Sequence, residues 1–286
     1  MKLCAVTMVY KDQWALSQWY AHYGALIGFE NLYIVTHGRD DWVRENCPDA
    51  SVLQVPRDDL EHFDKIRGQM LNAFQDGLNQ YYDWVIRTDA DELVCFDPHQ
   101  HTSLQGALAR VTSGAAFALG FDLLEFEQDK VLESNQSALQ HRRNAVFTGH
   151  YSKVWAVRNR IGMKLHGARM RTKLVPSFPF EMLRGVYLAH LKFANGAALI
   201  DTNQTRSDVA NREGRGLPGA AWRDPDAKAL RTIQKAQALP LLDWVEAVER
   251  AWSALQDPVR DPKAGVLRAR SLSFPFRTEL PDWFRR

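Results

Sequence analysis

The chain has 286 residues, 45% of them hydrophobic and 24% charged, with a formal net charge of +2. That is an ordinary globular composition, and a net charge so small gives no ground for a nucleic-acid or membrane partner. The length suits one large α/β domain, or a domain with an appendage, able to bury a sizeable core without staples. Three cysteines, Cys4, Cys47 and Cys95, form no zinc or disulfide framework. Cys4 and Cys95 lie in apolar runs, which reads as buried thiols in a reducing compartment. MKLCAVTMVY has no signal-peptide pattern, and no run approaches a membrane span. The expectation is a soluble, cytoplasmic protein without a transmembrane segment, with peripheral membrane contact left open.

Leu3 to Val9 is a short, β-branched apolar run and reads as the first strand. Asp12 follows as a helix cap. From Gln13 to Ile27 the apolar residues Trp14, Leu16, Trp19, Tyr20, Tyr23 and Leu26 recur at helical spacing, and Gly28 stops them. Asn31–Thr36 and Ser51–Val55 read as the next strands, with the His37–Asp41 loop between them. Strand, helix, strand, strand opens a doubly wound sheet. Phe63, Ile66, Met70, Leu71, Phe74 and Leu78 mark a helix, with Lys65 and Arg67 at its start. Cations near a helix N-terminus are mildly unfavourable for the helix; they make sense if they meet an anion.

DWVIRTDADELVCF, residues 83 to 96, comes next. Its apolar run predicts a buried strand, and three carboxylates, Asp89, Asp91 and Glu92, arrive within four residues where that run ends. The C-terminal edge of a parallel strand is where open α/β sheets place ligands. Alternate residues of an extended segment point the same way, so Asp89 and Asp91 can converge. Two hard oxygen ligands suit Mg²⁺ or Mn²⁺, completed by substrate phosphates. Taken alone, a D-x-D is as readily an acidic turn.

The remaining elements follow in order. Ser103–Val111 reads as a helix, and Ala115–Phe126 as a strand with Asp122 and Glu125 near its end. Residues 128–143 read as a polar loop, and Lys153–Arg158 as a strand. His166 lies in the segment from Ile161 to Arg169; His190 and Lys192 lie in GVYLAHLKF. Residues 201–222 show no period and read as a substrate-facing loop. Pro240–Leu255 is an amphipathic helix pattern, and the tail SLSFPFRTELPDWFRR is rich in proline and aromatics.

Taken together, these pieces resemble GT-A glycosyltransferases of the family-2-like group with a D-x-D-E motif. The resemblance covers roughly residues 3 to 195. It lies in the order of MVYKDQWALSQWYAHYGALIGFENLYIVTHGRDD, KIRGQMLNAF, YYDWVIRTDADELV, SKVW, His166 and HLK. Leu93 stands where an aromatic is usual, and HLK where a His-Tyr element is often found, which leaves donor specificity open. The resemblance implies a Rossmann-like, mostly parallel central sheet flanked by helices, as a catalytic domain over residues 1–200. An acceptor-side loop and helical extension would occupy 201–286. It implies metal-dependent transfer of a sugar from a nucleotide-sugar, generally a UDP-sugar, to a glycan, lipid-linked or protein acceptor, with inversion.

Carried over residue by residue, Asp89 would touch the ribose or the metal and Asp91 would be the principal metal ligand, with His190 and then His166 supplying nitrogen. Thr7, Val9 and Lys11 would edge the nucleobase pocket, and His37 and Asp40 would lie over the nucleoside. Lys65 and Arg67 would approach the diphosphate, with Lys153 and Lys192 as further compensating cations. Glu125 and Asp122 are the leading bases, with Glu92 and Glu181 behind them; Glu92 better suits a role in orienting the motif loop. Two rivals stand. A nucleotidyltransferase would want a Gly-rich loop after the first strand, which TMVYKDQW lacks. A non-catalytic nucleotide- or glycan-binding scaffold would show no turnover.

Overall fold

The first strand, β1 (Leu3–Val9), alternates between two cores. Leu3, Ala5 and Val9 join the large apolar cluster on one face, while Cys4 and Val6 join a smaller one on the other. A strand covered on both faces has no solvent side, which is why its sequence reads as an apolar run with Thr7 as its one polar residue. The structure is a computed structural model describing residues 1–133, 135–211 and 225–285.

Helix α1 (Gln13–Ile27) covers the large-cluster face, burying Trp19 and Tyr23 completely. β2 (Leu32–His37), α2 (Asp41–Asn46) and β3 (Ser51–Val55) follow. α3 (Phe63–Leu78) lays Leu71 and Leu78 on the opposite face, against Cys4, Val6, Val35 and Val85. β4 (Trp84–Arg87) pairs in parallel with β1, as β1 does with β2 and β2 with β3. This four-stranded parallel half is the doubly wound unit the sequence announces.

Beyond β4 the sheet turns mixed. β5 (Glu92–Phe96), α4 (Leu104–Leu108), β6 (Ala115–Leu124), α5 (Ala138–His141), β7 (Asn144–Phe147) and β8 (Val154–Val157) come next. β9 (Gly162–Lys164), β10 (Gly167–Arg169) and β11 (Met182–Phe193) follow. The chain then runs through α6 (Gly196–Ala210), α7 (Pro225–Gln237), β12 (Leu241–Leu242) and α8 (Trp244–Ala254). It ends in β13 (Val259–Asp261), β14 (Val266–Arg268) and β15 (Arg277–Glu279). The main sheet has 11 strands in the order β12-β15-β7-β6-β8-β4-β1-β2-β3, with β11 paired to both β5 and β6. A four-stranded antiparallel sheet, β13-β14-β10-β9, stands beside it. The architecture is α/β, with a large central sheet flanked by helices.

Several local expectations change. The polar segment 128–143 contains α5 and a completely buried Arg142. Residues 201–210 belong to α6, and 212–224 of the expected loop lie outside the described residues. α6 buries Leu199, Asn203, Val209 and Ala210, and turns Thr202, Thr205 and Arg206 to a polar cleft, so no apolar period shows. Ile66 is 57% exposed rather than in the core. The helix expected from Pro240 begins at Trp244, where the Asp243 carboxylate accepts the Val245 N–H at 2.8 Å. Residues from the C-terminal segment supply β12 and β15 to the main sheet, and Phe274, Phe276 and Phe284 of the tail are buried. Among the described residues no helix is long and apolar enough to cross a membrane.

Candidate active site

Asp89, Ala90 and Asp91 form the turn joining β4 to β5, at the C-terminal edge of the parallel strands. Three groups hold this turn from behind. The Trp19 indole N–H donates to Thr88 Oγ1 at 2.9 Å. Tyr23 Oη accepts the Val94 N–H at 3.0 Å. The Glu92 Oε2 atom, on a buried side chain, accepts the Asp89 N–H at 2.9 Å. The aromatic face of α1 therefore serves the motif as well as the core.

Register brings the next residue in. β11 runs antiparallel to β5 and parallel to β6, so His190 lies opposite Glu92 on one side and Asp122 on the other. Its Nδ1 is 2.6 Å from Asp122 Oδ1, and its Nε2 is 3.3 Å from Asp91 Oδ2. Tyr151 stacks on the imidazole, centroids 3.6 Å apart. Gly120 permits this: a Cβ there would meet the Tyr151 carbonyl carbon at 2.2 Å, so only glycine lets that turn cross β6 so closely. Burial opposes charge on His190, but Asp91 and Asp122 outweigh it and raise the imidazole to about 9.

Asp89 is differently held. Arg67, from α3, forms an ion pair with its Oδ1, and Lys153 Nζ lies 3.7 Å from Oδ2 and 2.6 Å from Glu92 Oε1. Burial would push the Asp89 carboxyl up, but Arg67 and Lys153 hold it well below the usual range. Asp91 is also lowered, with burial opposed chiefly by His190.

These residues border a cleft of about 460 Å³. One end is lined by Val9, Tyr10, His37, Arg57 and Phe63. There His37 stacks on Phe63 at 5.1 Å, and its Nδ1 is 2.8 Å from Arg57 Nη1. Arg57 lies 3.4 Å over the Tyr10 ring. Burial and the Arg57 charge lower His37 to about 4, so it is neutral. The other end is roofed by α6, with Thr202, Thr205 and Arg206, and by Lys228 of α7. Lys192 lines the cleft as well, its ammonium lowered to about 8 by burial and by Arg206.

Of the residues singled out from sequence, Val9, His37, Arg67, Asp89, Asp91, His166, His190 and Lys192 line this cleft together. Thr7 is buried within β1, Lys11 and Lys65 are exposed, and Asp40 precedes α2; none of the four borders it. Glu125 lies outside the cleft as well. Its carboxylate is paired with buried Arg142 and accepts the Gly196 N–H at 3.3 Å. Asp122 reaches the cleft only through His190. Glu181 accepts N–H groups of Thr112 and Ser113 at 2.9 and 2.7 Å, again outside the cleft.

In the sequence Asp12 reads only as a helix cap. It does accept the Ala15 N–H at 3.4 Å, and it also lines the cleft beside Asp91 and Arg206. Burial first, and then the Asp91 charge, raise its carboxyl to about 6, in the range of a general base. Arg57, Tyr151 and Arg206 also line the cleft, and nothing in their spacing along the chain ties them to the motif.

A metal finds few vacant ligands. Among the described residues no group of three or more His, Cys, Asp or Glu side chains converges to hold one. Both His190 nitrogens face carboxylates, and His166 Nδ1 lies 2.8 Å from the His150 carbonyl. What fits is the mode in which one or two carboxylates, Asp91 and Asp89, share an ion with substrate phosphates.

No protein-family model matches the chain, and no curated protein matches it. Among solved structures the chain is similar to a mannose-1-phosphate geranyltransferase from Thermus thermophilus, at 10% identity over 98% of this chain and 74% of that one, TM-score 0.33. It is similar to a 4-diphosphocytidyl-2C-methyl-D-erythritol synthase at 14% identity over 48% of this chain and 66% of that one, TM-score 0.29. It is similar to a CMP:2-keto-3-deoxy-manno-octonic acid synthetase complexed with CTP at 12% identity over 82% and 86%, TM-score 0.29. Identities and scores this low assign no activity to this chain.

Proposed function

We propose that the protein is a glycosyltransferase that moves a sugar from a nucleotide-sugar, a UDP-sugar in the first instance, to an acceptor hydroxyl. The observation that carries this reading is the juxtaposition, in one cleft at the edge of a parallel sheet, of Asp89 and Asp91 with Arg57, Arg67, Lys192, Arg206 and Lys228. Paired carboxylates amid cations suit a diphosphate better than a neutral substrate. The stacked, neutral His37–Phe63 end suits a nucleobase.

In the reaction read here, the acceptor oxygen bonds to the anomeric carbon as the bond from that carbon to the phosphate oxygen breaks. The leaving nucleoside diphosphate takes the electron pair. The hydroxyl proton passes to a carboxylate; of those lining the cleft Asp12 takes this role, in place of Glu125, because Asp89 and Glu92 are ion-paired with Arg67 and Lys153 and Asp91 with His190. Arg206, Lys192 and Lys228 compensate the charge that develops on the diphosphate. Asp91, with Asp89 beside it, would hold Mn²⁺ or Mg²⁺ through shared phosphate oxygens, and a bound ion supplies further charge compensation.

Thermal unfolding against a panel of nucleotides and nucleotide-sugars, with and without Mn²⁺, tests this. A ligand that binds only the native state at a hundredfold excess over Kd stabilises it by about 2.7 kcal/mol. A Mn²⁺-dependent shift with UDP or a UDP-sugar is the expected result, lost in Asp91→Asn. No shift with any nucleotide would sink the reading. The same five cations could also neutralise a triphosphate, which favours a nucleotidyltransferase as the second reading. Preference for UTP or CTP over UDP, with release of pyrophosphate, would select it.

A further inference from the structure

A second cavity, of about 310 Å³, opens on the far side of His150 and His166. Those two histidines line both cavities, so they form the partition between them, with ring centroids 4.1 Å apart. His166 is held in this place by a tight hairpin turn. It and Leu165 are the two residues joining β9 to β10, and both have positive φ, 63° and 52°. That backbone normally selects Asn-Gly. Here it carries an imidazole aimed at the partition and an apolar side chain, 63% exposed, on the rim.

The opposite wall comes from the C-terminal segment: Arg268, Ala269 and Ser271. The floor is backbone. Gly149 donates to the Leu272 carbonyl at 2.8 Å, and a Cβ on Gly149 would meet the Arg270 carbonyl oxygen at 2.0 Å. The cavity is thus built on a fixed chain crossing. Among the described residues no acidic side chain lines it. The Arg268 guanidinium donates to Ser271 Oγ at 3.2 Å, and no carboxylate among the described residues pairs with it. Its charge is felt at the partition, where burial first, and then Lys153, His190 and Arg268, disfavour the protonated form of His150.

We propose that this second cavity is the acceptor subsite, and that the acceptor is a sugar bearing an anionic group, a phosphate or a carboxylate, seated on Arg268. The volume is that of a small-ligand site. A guanidinium with no carboxylate partner matches either anion in a two-point fork. The two cavities share the His150 and His166 wall, so a hydroxyl seated against that wall faces the larger cleft, while Arg268 does not line that cleft and leaves the donor's own cations to it. The proposal rests on reading the larger cleft as the nucleotide-sugar site. It gives the C-terminal segment a defined task in binding.

Ligand-observed NMR with glucose 6-phosphate, glucuronate and glucose, each with and without saturating UDP, tests it. At least one anionic probe should bind with UDP present, and glucose should bind at least tenfold more weakly. Which anion binds tells phosphate from carboxylate. Arg268→Ala should weaken that probe at least tenfold and leave the UDP-induced thermal shift unchanged; Arg268→Lys should recover part of the loss. Displacement of the anionic probe by UDP would overturn the assignment, as would equal binding of glucose, failure of every probe to bind, or full affinity in Arg268→Ala. Failure of UDP to bind would count against the donor cleft alone, because the comparison of Arg268 variants without UDP still decides the second cavity.

Discussion

Asp12 has two uses, and they can be separated by substitution. As a cap it needs only an acceptor oxygen, and asparagine caps about as well as aspartate. As a base it needs a titratable carboxylate. Asp12→Asn should therefore lose transfer by roughly 10²–10⁴-fold, while its urea midpoint and UDP-induced thermal shift stay where they were. Full turnover in that variant would rule Asp12 out as the base. His190 offers a second test, on stability. Its ordinary pKa is 6.5, and in the fold it is raised to about 9. A raised pKa means that its contribution is complete below about pH 6.5 and is lost as the pH climbs through 9. The size is roughly 3 kcal/mol, set by Asp91 and Asp122 in contact, with Tyr151 stacked on the ring. Urea unfolding of the wild type should weaken across that window, and His190→Asn should show a flatter profile. Equal slopes in the two proteins would mean that His190 is not charged. The carboxylates of this site could be read from the chain; their partners could not. DADE follows a strand, and strand ends hold ligands. Glu125 also follows a strand, yet buried Arg142 neutralises it, and no feature of a charged, loop-like stretch distinguishes a guanidinium that will be buried from one left in water.

At the scale of elements, the parallel half announced itself because β1 and β4 must feed two cores at once. Each therefore carries apolar side chains toward both cores, as Cys4, Ala5 and Val6 show in β1 and Trp84, Val85 and Ile86 in β4, with Thr7 the buried exception in β1. α6 stayed hidden for the opposite reason. It roofs a polar cleft, so its inner face presents Thr202, Thr205 and Arg206 where a core helix would present leucines. Its start is secured by Asn195, whose Oδ1 accepts the N–H groups of Ala197 and Ala198 at 3.1 and 3.2 Å. α6 and α7 meet the sheet through a small cluster, Leu124, Phe126, Phe193, Leu199, Ala229 and Ala236, separate from the main core. An element held by a cap and a small cluster opens more readily than the sheet beneath it. Asn195→Ala, which removes about 1 kcal/mol of capping, should speed amide exchange along 196–210 and weaken UDP several-fold, with amide protection in β1 and β4 unchanged. Uniform loss of protection across the sheet would show that α6 and the core open together.

At the scale of the whole molecule, the C-terminal segment is part of the main sheet. β15 lies between β12 and β7, so the edge of the main sheet is finished by chain from beyond residue 240. Around it Phe121, Phe147, Tyr187, Trp244, Trp283 and Phe284 form one continuous aromatic group, with ring centroids 3.8–6.4 Å apart. Phe121 and Phe147 belong to the central sheet, Trp244 to α8, and Trp283 and Phe284 to the tail, so three distant parts of the sequence share one core. A tail that merely decorated the surface could be altered without a trace. A tail that completes the core carries the usual cost of a large-to-small change, about 3–5 kcal/mol for Phe→Ala. Phe284→Ala, a residue 5% exposed, should lower the unfolding free energy by that amount, read as a lower urea midpoint at unchanged slope, in a single cooperative transition followed alike by tryptophan fluorescence and far-ultraviolet dichroism. The Trp residues of the aromatic group and the secondary structure of the parallel half would then report the same event, as one core requires. Two separated transitions would divide the molecule into a parallel half and a later half that unfold independently, and the seat at Arg268 would then belong to a unit able to move against the donor cleft.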